Sequence, residues 1–146
     1  MNNSGRVVLI TGASTGIGRS TAIKFASEGY TVIINYLSNH IKAVEVKEKI
    51  EESNGRCDIY KADVTDSNQV YQMVNDIIKK FGQIDILINN AGGAISRSRF
   101  LECSEELWDK TLSLNLKSAF LCSKSVISNM KKRKSGKIKT FLGWQG

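Results

Sequence analysis

The chain has 146 residues, 41% of them hydrophobic and 24% charged. That is the makeup of an ordinary globular domain, and it excludes disordered, collagen-like and membrane-embedded classes. A chain of this length can bury roughly 70% of its unfolded surface, and no apolar run approaches the length of a bilayer span. Six of the cations behind the net charge of +7 fall in one stretch, at Lys131, Lys132, Arg133, Lys134, Lys137 and Lys139. A basic tip at the C-terminal end of a helix complements the helix dipole, and no aromatic side chains alternate with these lysines to stack bases, so a nucleic-acid partner is not expected. Cys57, Cys103 and Cys122 have neither disulfide-framework nor metal-ligand spacing. Free thiols in a reducing compartment follow, no metal is expected, and the short apolar run after a polar start points to the cytoplasm.

Arg6 to Ile10 reads as a buried strand, and Thr11-Gly12-Ala13-Ser14-Thr15-Gly16-Ile17-Gly18 as the turn that opens a helix from about Ile17, with Ala22, Phe25 and Ala26 on one face and Gly29 at its end. Thr31 to Asn35 is a second β-branched run. Ser38 or Asn39 then caps a helix carrying Ile41, Val44 and Ile50, which closes near Gly55. A third strand covers about Cys57 to Lys61. Asp66 and Gln69 have capping-box spacing ahead of Val70, Met73, Val74, Ile77, Ile78 and Phe81, which recur at helical steps until Gly82.

The apolar run Ile84 to Ile88 suits a strand buried on both faces, and a loop follows from Asn89 to about Cys103. Ser104, Glu105 and Glu106 start helical structure that leads into a long helix with Leu116, Ala119, Phe120, Ser123, Ile127 and Met130 along one side. This alternation of strand and helix predicts right-handed crossovers, a doubly wound parallel α/β sheet, and a ligand beyond the carboxyl ends of the strands. The whole of 1–146 reads as one dinucleotide-binding domain.

The glycine turn is the strongest local signal. Gly12, Gly16 and Gly18 lack Cβ atoms, so the backbone can approach a pyrophosphate while the helix amides point at it. Glycine turns also serve geometry alone, but here the turn follows a strand and opens a helix. Its spacing, T-G-x-x-x-G-x-G, differs from the G-x-G-x-x-G fingerprint. Together with Asp63-Val64 after the third strand, Asn89-Asn90-Ala91-Gly92 after the fourth, and Asn115 in Asn115-Leu116-Lys117-Ser118, it resembles the short-chain dehydrogenase/reductase family over roughly residues 5 to 138. Within that family the run from Asp63 to Phe120 is most similar to 3-oxoacyl-[acyl-carrier-protein] reductases and related bacterial ketoreductases.

The resemblance implies a Rossmann-like fold and a nicotinamide dinucleotide as ligand. Its phosphates would be held near Gly12, Ser14, Thr15, Gly16, Ile17 and Gly18, and its adenine flanked by Asp63 and Val64. Asn89, Ala91 and Gly92 would lie along the ribose and nicotinamide side. Asn90 is expected to tie strands together, and Asp63 to touch the ligand although it could also cap a turn. The family acts on small-molecule or acyl-carrier substrates and forms tetramers that bury the long helix, so a homo-oligomer through Leu116 to Met130 is expected.

Cofactor choice turns on the end of the second strand, where an acid would bond a ribose 2′-OH. Asn35-Tyr36 stands there, so NADP(H) is preferred to NAD(H), although the glycine turn carries Thr15 where many NADP-dependent relatives have arginine. Arg19 and His40 read as solvated surface side chains. The family's proton transfer uses a Ser, a Tyr and a Lys four residues after that Tyr, with Asn115 in a supporting role. Tyr30, Tyr36, Tyr60 and Tyr71 are followed at that spacing by Ile34, His40, Val64 and Asn75, so residues 1–146 carry no such pair.

The family's fifth strand continues into an Ile-Asn-Ile-Ser-Ser type run, whereas this chain reads Lys139-Thr140-Phe141-Leu142-Gly143-Trp144-Gln145-Gly146. A shifted reading frame over those codons can yield Asn-Ile-Ser. The expectation is therefore a frameshifted, truncated member that keeps cofactor binding, or else a non-catalytic nucleotide-binding module or an inactive product. A central strand left at a sheet edge would make such a chain aggregation-prone.

Overall fold

The computed structural model describes residues 3–141. Five strands, β1 (Val7–Ile10), β2 (Thr31–Tyr36), β3 (Arg56–Lys61), β4 (Ile86–Asn89) and β5 (Lys137–Thr140), form one sheet in the order β3-β2-β1-β4-β5, with every pair parallel. Helices α1 (Gly16–Ser27), α2 (His40–Glu52), α3 (Ser67–Phe81), α4 (Glu105–Leu112) and α5 (Ser118–Arg133) make the connections. The expected doubly wound parallel sheet is what the chain forms.

The two-residue period of a strand divides the core. Val7, Leu9, Ile33 and Leu87 pack with Val70, Met73, Val74 and Ile77 of α3 and Cys122, Val126 and Met130 of α5. Val8, Ile10, Val32, Ile34 and Ile88 point the other way, onto Ala22 and Ala26 of α1 and Val46 and Ile50 of α2. Strand β1 is consequently apolar at every position, and β2 and β4 are apolar apart from Thr31, Asn35 and Asn89 near their ends, as suits a sheet covered on both faces.

Two helix faces differ from the sequence expectation. In α2 the buried residues are Ala43, Val46 and Ile50, and Ile41 is 72% exposed. In α5 they are Ser118, Cys122, Val126 and Met130, whereas Phe120 is 58% and Ile127 45% exposed, and Leu116, in the turn just before α5, is 58% exposed. Each helix carries two apolar stripes at helical spacing, and periodicity alone does not say which one meets the sheet. The smaller residues won in both, because α1 and α2, and α3 and α5, lie close together.

The predicted boundaries hold in the main. Asn39 caps α2 by accepting from the Lys42 amide at 3.1 Å. Asp66 caps α3 through the amides of Asn68 and Gln69, while the Gln69 side chain reaches back to accept from the Asp63 amide at 2.9 Å. Gly82 ends α3 at φ +83°, the left-handed conformation that suits glycine. Strand β4 begins at Ile86 instead of Ile84, because Asp85 turns its carboxylate onto the Val7 amide at 2.7 Å and onto Arg133 Nη1 at 3.0 Å. Arg133 also donates to the Ile84 carbonyl at 2.7 Å, so one cation of the basic run fastens the end of α5 to the sheet. Lys131 and Lys132 occupy the last turn of α5, where the dipole favours them.

Candidate functional site

Strand order reverses between β1 and β4: one connection leaves β1 toward β2 and β3, and the next returns by α3 to β4 on the opposite side. A crevice at the carboxyl ends of the strands follows from that reversal. A groove of about 350 Å³ lies there, walled by Gly12, Ser14, Thr15, Asn35 to Asn39, Ala62, Asp63, Val64, Asn90, Ala91, Gly92 and Leu114.

The turn between β1 and α1 is held by side chains from its neighbours. Asn35 Oδ1 accepts from the Gly12 amide at 3.2 Å, its Nδ2 donates to the Ala62 carbonyl at 3.0 Å, and its own carbonyl accepts from Ala13 N at 3.0 Å. The Asn90 amide donates to the carbonyls of Thr11 and Gly12 at 3.0 and 3.1 Å. Thr11 Oγ1 in turn accepts from the backbone amides of Asn90 and Ala91 at 3.0 and 2.9 Å. These bonds fix β1, β2 and β4 to one another where the groove opens.

The glycines are steric requirements. Gly12 and Gly16 have φ of +61° and +56°. A Cβ on Gly18 would lie 2.5 Å from Asn90 Nδ2 and 2.8 Å from the Gly12 carbonyl oxygen, so α1 packs on the turn only without one. Thr15, the N-cap of α1, makes no side-chain capping bond, and the helix has no acidic residue in its first turn. Its amides are therefore open to an anion, and the helix dipole favours negative charge at that end.

Gly93 and Asn115 close the far end. Asn115 Oδ1 accepts from the Gly93 amide and Nδ2 donates to the Gly93 carbonyl, both at 2.9 Å, and Nδ2 also reaches the Thr111 carbonyl at 2.9 Å. Residues Ser113–Lys117 form a π-helical turn between α4 and α5, and that widened turn brings the Asn115 amide to the loop. A Cβ on Gly92 would meet Asn115 Oδ1 at 2.7 Å.

The expected ligand residues divide into groups. Gly12, Ser14, Thr15, Asp63, Val64, Ala91 and Gly92 wall the groove, while Gly16, Ile17 and Gly18 belong to the turn and the first residues of α1. Asn35 also borders the groove, but its amide is taken up by Gly12 and Ala62, which makes it a brace of the turn. Asp63 Oδ1 accepts from the Thr65 amide at 2.8 Å and from its hydroxyl at 2.7 Å, so this carboxylate holds a turn as well as lining the groove.

Asn89 departs from the expectation. Its side chain is buried away from the groove, where Nδ2 donates to Ser123 Oγ at 3.1 Å and Thr140 Oγ1 at 3.3 Å, tying β4 to α5 and β5. The alternation of strand faces explains this: Asn89 and Asn90 point opposite ways, and Asn90 is the one turned to β1. Arg19 is exposed as expected. His40 is exposed but not solitary, since its Nδ1 lies 2.7 Å from the Tyr36 hydroxyl. Sequence spacing gave no warning of that pair, because Tyr36 ends a strand and His40 begins a helix. Thr11, the hub of the amide network, carries no motif of its own, and its place at the end of a buried strand is its one sequence signal. Among the described residues no cluster of His, Cys, Asp or Glu could hold a metal ion, and no helix is long and apolar enough to cross a membrane.

The short chain dehydrogenase family model matches residues 6–140. The chain is 41% identical over 139 residues to the 3-oxoacyl-[acyl-carrier-protein] reductase FabG of Thermotoga maritima, a match covering 94% of this chain and 55% of that protein. Two similar solved structures are a metagenomic short-chain oxidoreductase in complex with NADP and an NADH-dependent reductase responsible for alginate metabolism. The first has a TM-score of 0.89 at 28% identity, over 94% of this chain and 62% of that one. The second has a TM-score of 0.85 at 29% identity, over 94% of this chain and 58% of that one. The chain belongs to the short-chain dehydrogenase/reductase family. It spans about half the length of the curated relatives it matches.

Proposed function

We propose that residues 1–146 bind a nicotinamide dinucleotide, NADP(H) in preference to NAD(H), as the cofactor-holding half of a ketone or 3-oxoacyl reductase. The observation that carries the reading is the uncapped N-terminus of α1 above a turn whose glycines leave room for a pyrophosphate. Gly12, Ser14 and Thr15, with the first amides of α1, would hold the phosphates; Asp63 and Val64 would flank the adenine; Ala91 and Gly92 would face the nicotinamide side. Preference for NADP(H) rests on the absence of any Asp or Glu from Ile34 to Val44, where an acid would repel a 2′-phosphate. The two neighbours, one with NADP and one NADH-dependent, do not choose between the cofactors.

The bound dinucleotide would supply the hydride. In this family proton transfer to a carbonyl uses a tyrosine with a lysine beside it, and lowering a tyrosine pKa from ~10 to neutrality takes roughly 4 kcal/mol. No tyrosine in residues 1–146 has a lysine four positions on. The reading is therefore binding without turnover by this segment, with Asn115 as a brace of the groove. Self-association through the exposed stripe of Leu116, Phe120 and Ile127 accompanies it. Calorimetric titration of NADP+ and NAD+ into the chain tests the reading: saturable binding, tighter for NADP+ and lost in Gly18→Ala, is the expected result, and no heat from either cofactor overturns it.

A further inference from the structure

The turn between α2 and β3 carries Asn54-Gly55, and no other asparagine in the chain is followed by glycine. Asn54 is exposed and has φ +59°, a left-handed conformation that asparagine tolerates better than most residues. Asparagine is chemically labile, and it is most so when the next residue has no Cβ to shield its backbone nitrogen. The Gly55 nitrogen can attack Asn54 Cγ, forming an N–Cγ bond and expelling the carboxamide nitrogen, which leaves as ammonia with the amide hydrogen. The five-membered imide then takes up water and opens at either carbonyl. One opening gives aspartate, the other an isoaspartate whose backbone runs through the side chain. Water is the only co-reactant, and nothing is oxidised or reduced.

The fold decides when this can happen. Gly55 N donates to the Ile50 carbonyl at 2.9 Å, and the amides of Asn54 and Ser53 close the same turn onto the carbonyls of Glu51 and Ile50 at 2.9 and 3.2 Å. While Ile50 holds the Gly55 hydrogen, the nitrogen is not free to turn onto Cγ. Packing adds a second restraint. A Cβ on Gly55 would lie 2.6 Å from Ile50 Cγ2, 2.9 Å from the Ile50 carbonyl oxygen and 3.3 Å from Ala26 Cβ, so the turn sits on the contact between α1 and α2. Ile50 itself is 2% exposed. The group to be attacked therefore stands in water, while its nucleophile is tied to the core.

We propose that Asn54-Gly55 is a site of spontaneous modification by deamidation, and that the folded end of α2 is its gate. The inference is independent of the cofactor reading. Ring closure requires the Gly55 amide to leave Ile50, so the rate in the native chain is that of the open turn multiplied by the fraction of time it is open. Each product weakens the gate that admitted it. A carboxylate at position 54 joins Glu51 and Glu52 at the C-terminal end of α2, where the helix dipole disfavours negative charge. The isoaspartyl form adds a backbone carbon to a turn that has no room for a methyl group on Gly55.

The test incubates the full chain at physiological pH and temperature, once folded, as verified by circular dichroism, and once in concentrated guanidinium. Mass spectrometry follows the tryptic peptide Ile50 to Arg56, in which deamidation replaces an NH2 by an OH. A synthetic peptide of the same seven residues has no gate and corrects for the effect of the denaturant on the chemistry. In guanidinium this peptide of the chain is expected to change before any other that carries an asparagine, and in Asn54→Gln the change should disappear. In the folded chain it should be at least about 5-fold slower, the factor supplied by one net hydrogen bond. Equal corrected rates in the folded and unfolded chain overturn the gate, and earlier modification at another asparagine of the unfolded chain overturns the site.

Discussion

The two ends of the molecule's binding edge are held in different ways. Around β1 and α1, Thr11, Asn35 and Asn90 brace the backbone on three sides, and glycines sit where a Cβ would collide, while the first amides of α1 stay uncapped. Across Ile95 to Ile127 several large apolar side chains stand exposed among charged ones. Phe100 and Leu101 are 88% and 96% exposed, Trp108 is 55% exposed, and the outer stripe of α5 faces away from the sheet. The first region is fixed in shape by these hydrogen bonds. The second has unspent apolar surface, which in water favours burial against another surface.

The sharpest break in that contrast is Gly18→Ala. The added methyl must displace Asn90 or the turn, and overpacking of this kind costs about 1–3 kcal/mol. Denaturant titration should show that loss together with complete loss of dinucleotide binding. Asn115→Ala comes next: it strands the Gly93 amide and carbonyl, with an expected loss of about 1–3 kcal/mol for unsatisfied, partly buried groups. Because Asn115 braces only the far end, cofactor affinity should fall less than in Gly18→Ala, and equal losses would mean that the two ends are not separable. In the open region, Phe120→Glu should leave chemical stability and cofactor affinity unchanged but shift sedimentation toward monomer; an unchanged sedimentation profile would show that the stripe does not drive association.

A smaller effect distinguishes core from surface through the thiols. Burial pushes Cys57 and Cys122 from the ordinary 9.0 up to about 12. The folded state therefore favours the neutral thiol. The associated stability is fully present below pH ~9 and is lost as pH rises toward 12, where the unfolded chain ionises and the folded one resists. Alkaline unfolding in that window should become shallower in Cys122→Ala. At neutral pH a thiol reagent should label the buried Cys122 only on unfolding, since the thiolate is the reactive form.

Legibility in the sequence follows the same division. The glycine turn, the caps at Asn39, Asp66 and Ser104, and the apolar strands were readable because each imposes a local requirement on residue type. Which stripe of α5 meets the sheet was not, since Cys122 and Val126 compete with Leu116, Phe120 and Ile127 at the same spacing, and only the nearness of α3 decides. The groove's position was readable from topology, but the roles of adjacent asparagines were not. Asn89 and Asn90 differ only in which face of β4 they occupy, and that parity is set by pairing with β1. The expectation of a shifted reading frame concerns Lys139 to Gly146, of which residues 142–146 lie outside the described residues.

The most direct test of the central claim follows backbone amide resonances while NADP+ is added. The account predicts that the largest shifts fall on Gly12, Ile17, Gly18, Ala91 and Gly92, with α4 and the exposed face of α5 unaffected. Shifts concentrated in residues 100–130, or none in the glycine turn at saturating cofactor, would contradict a phosphate cradle at the start of α1.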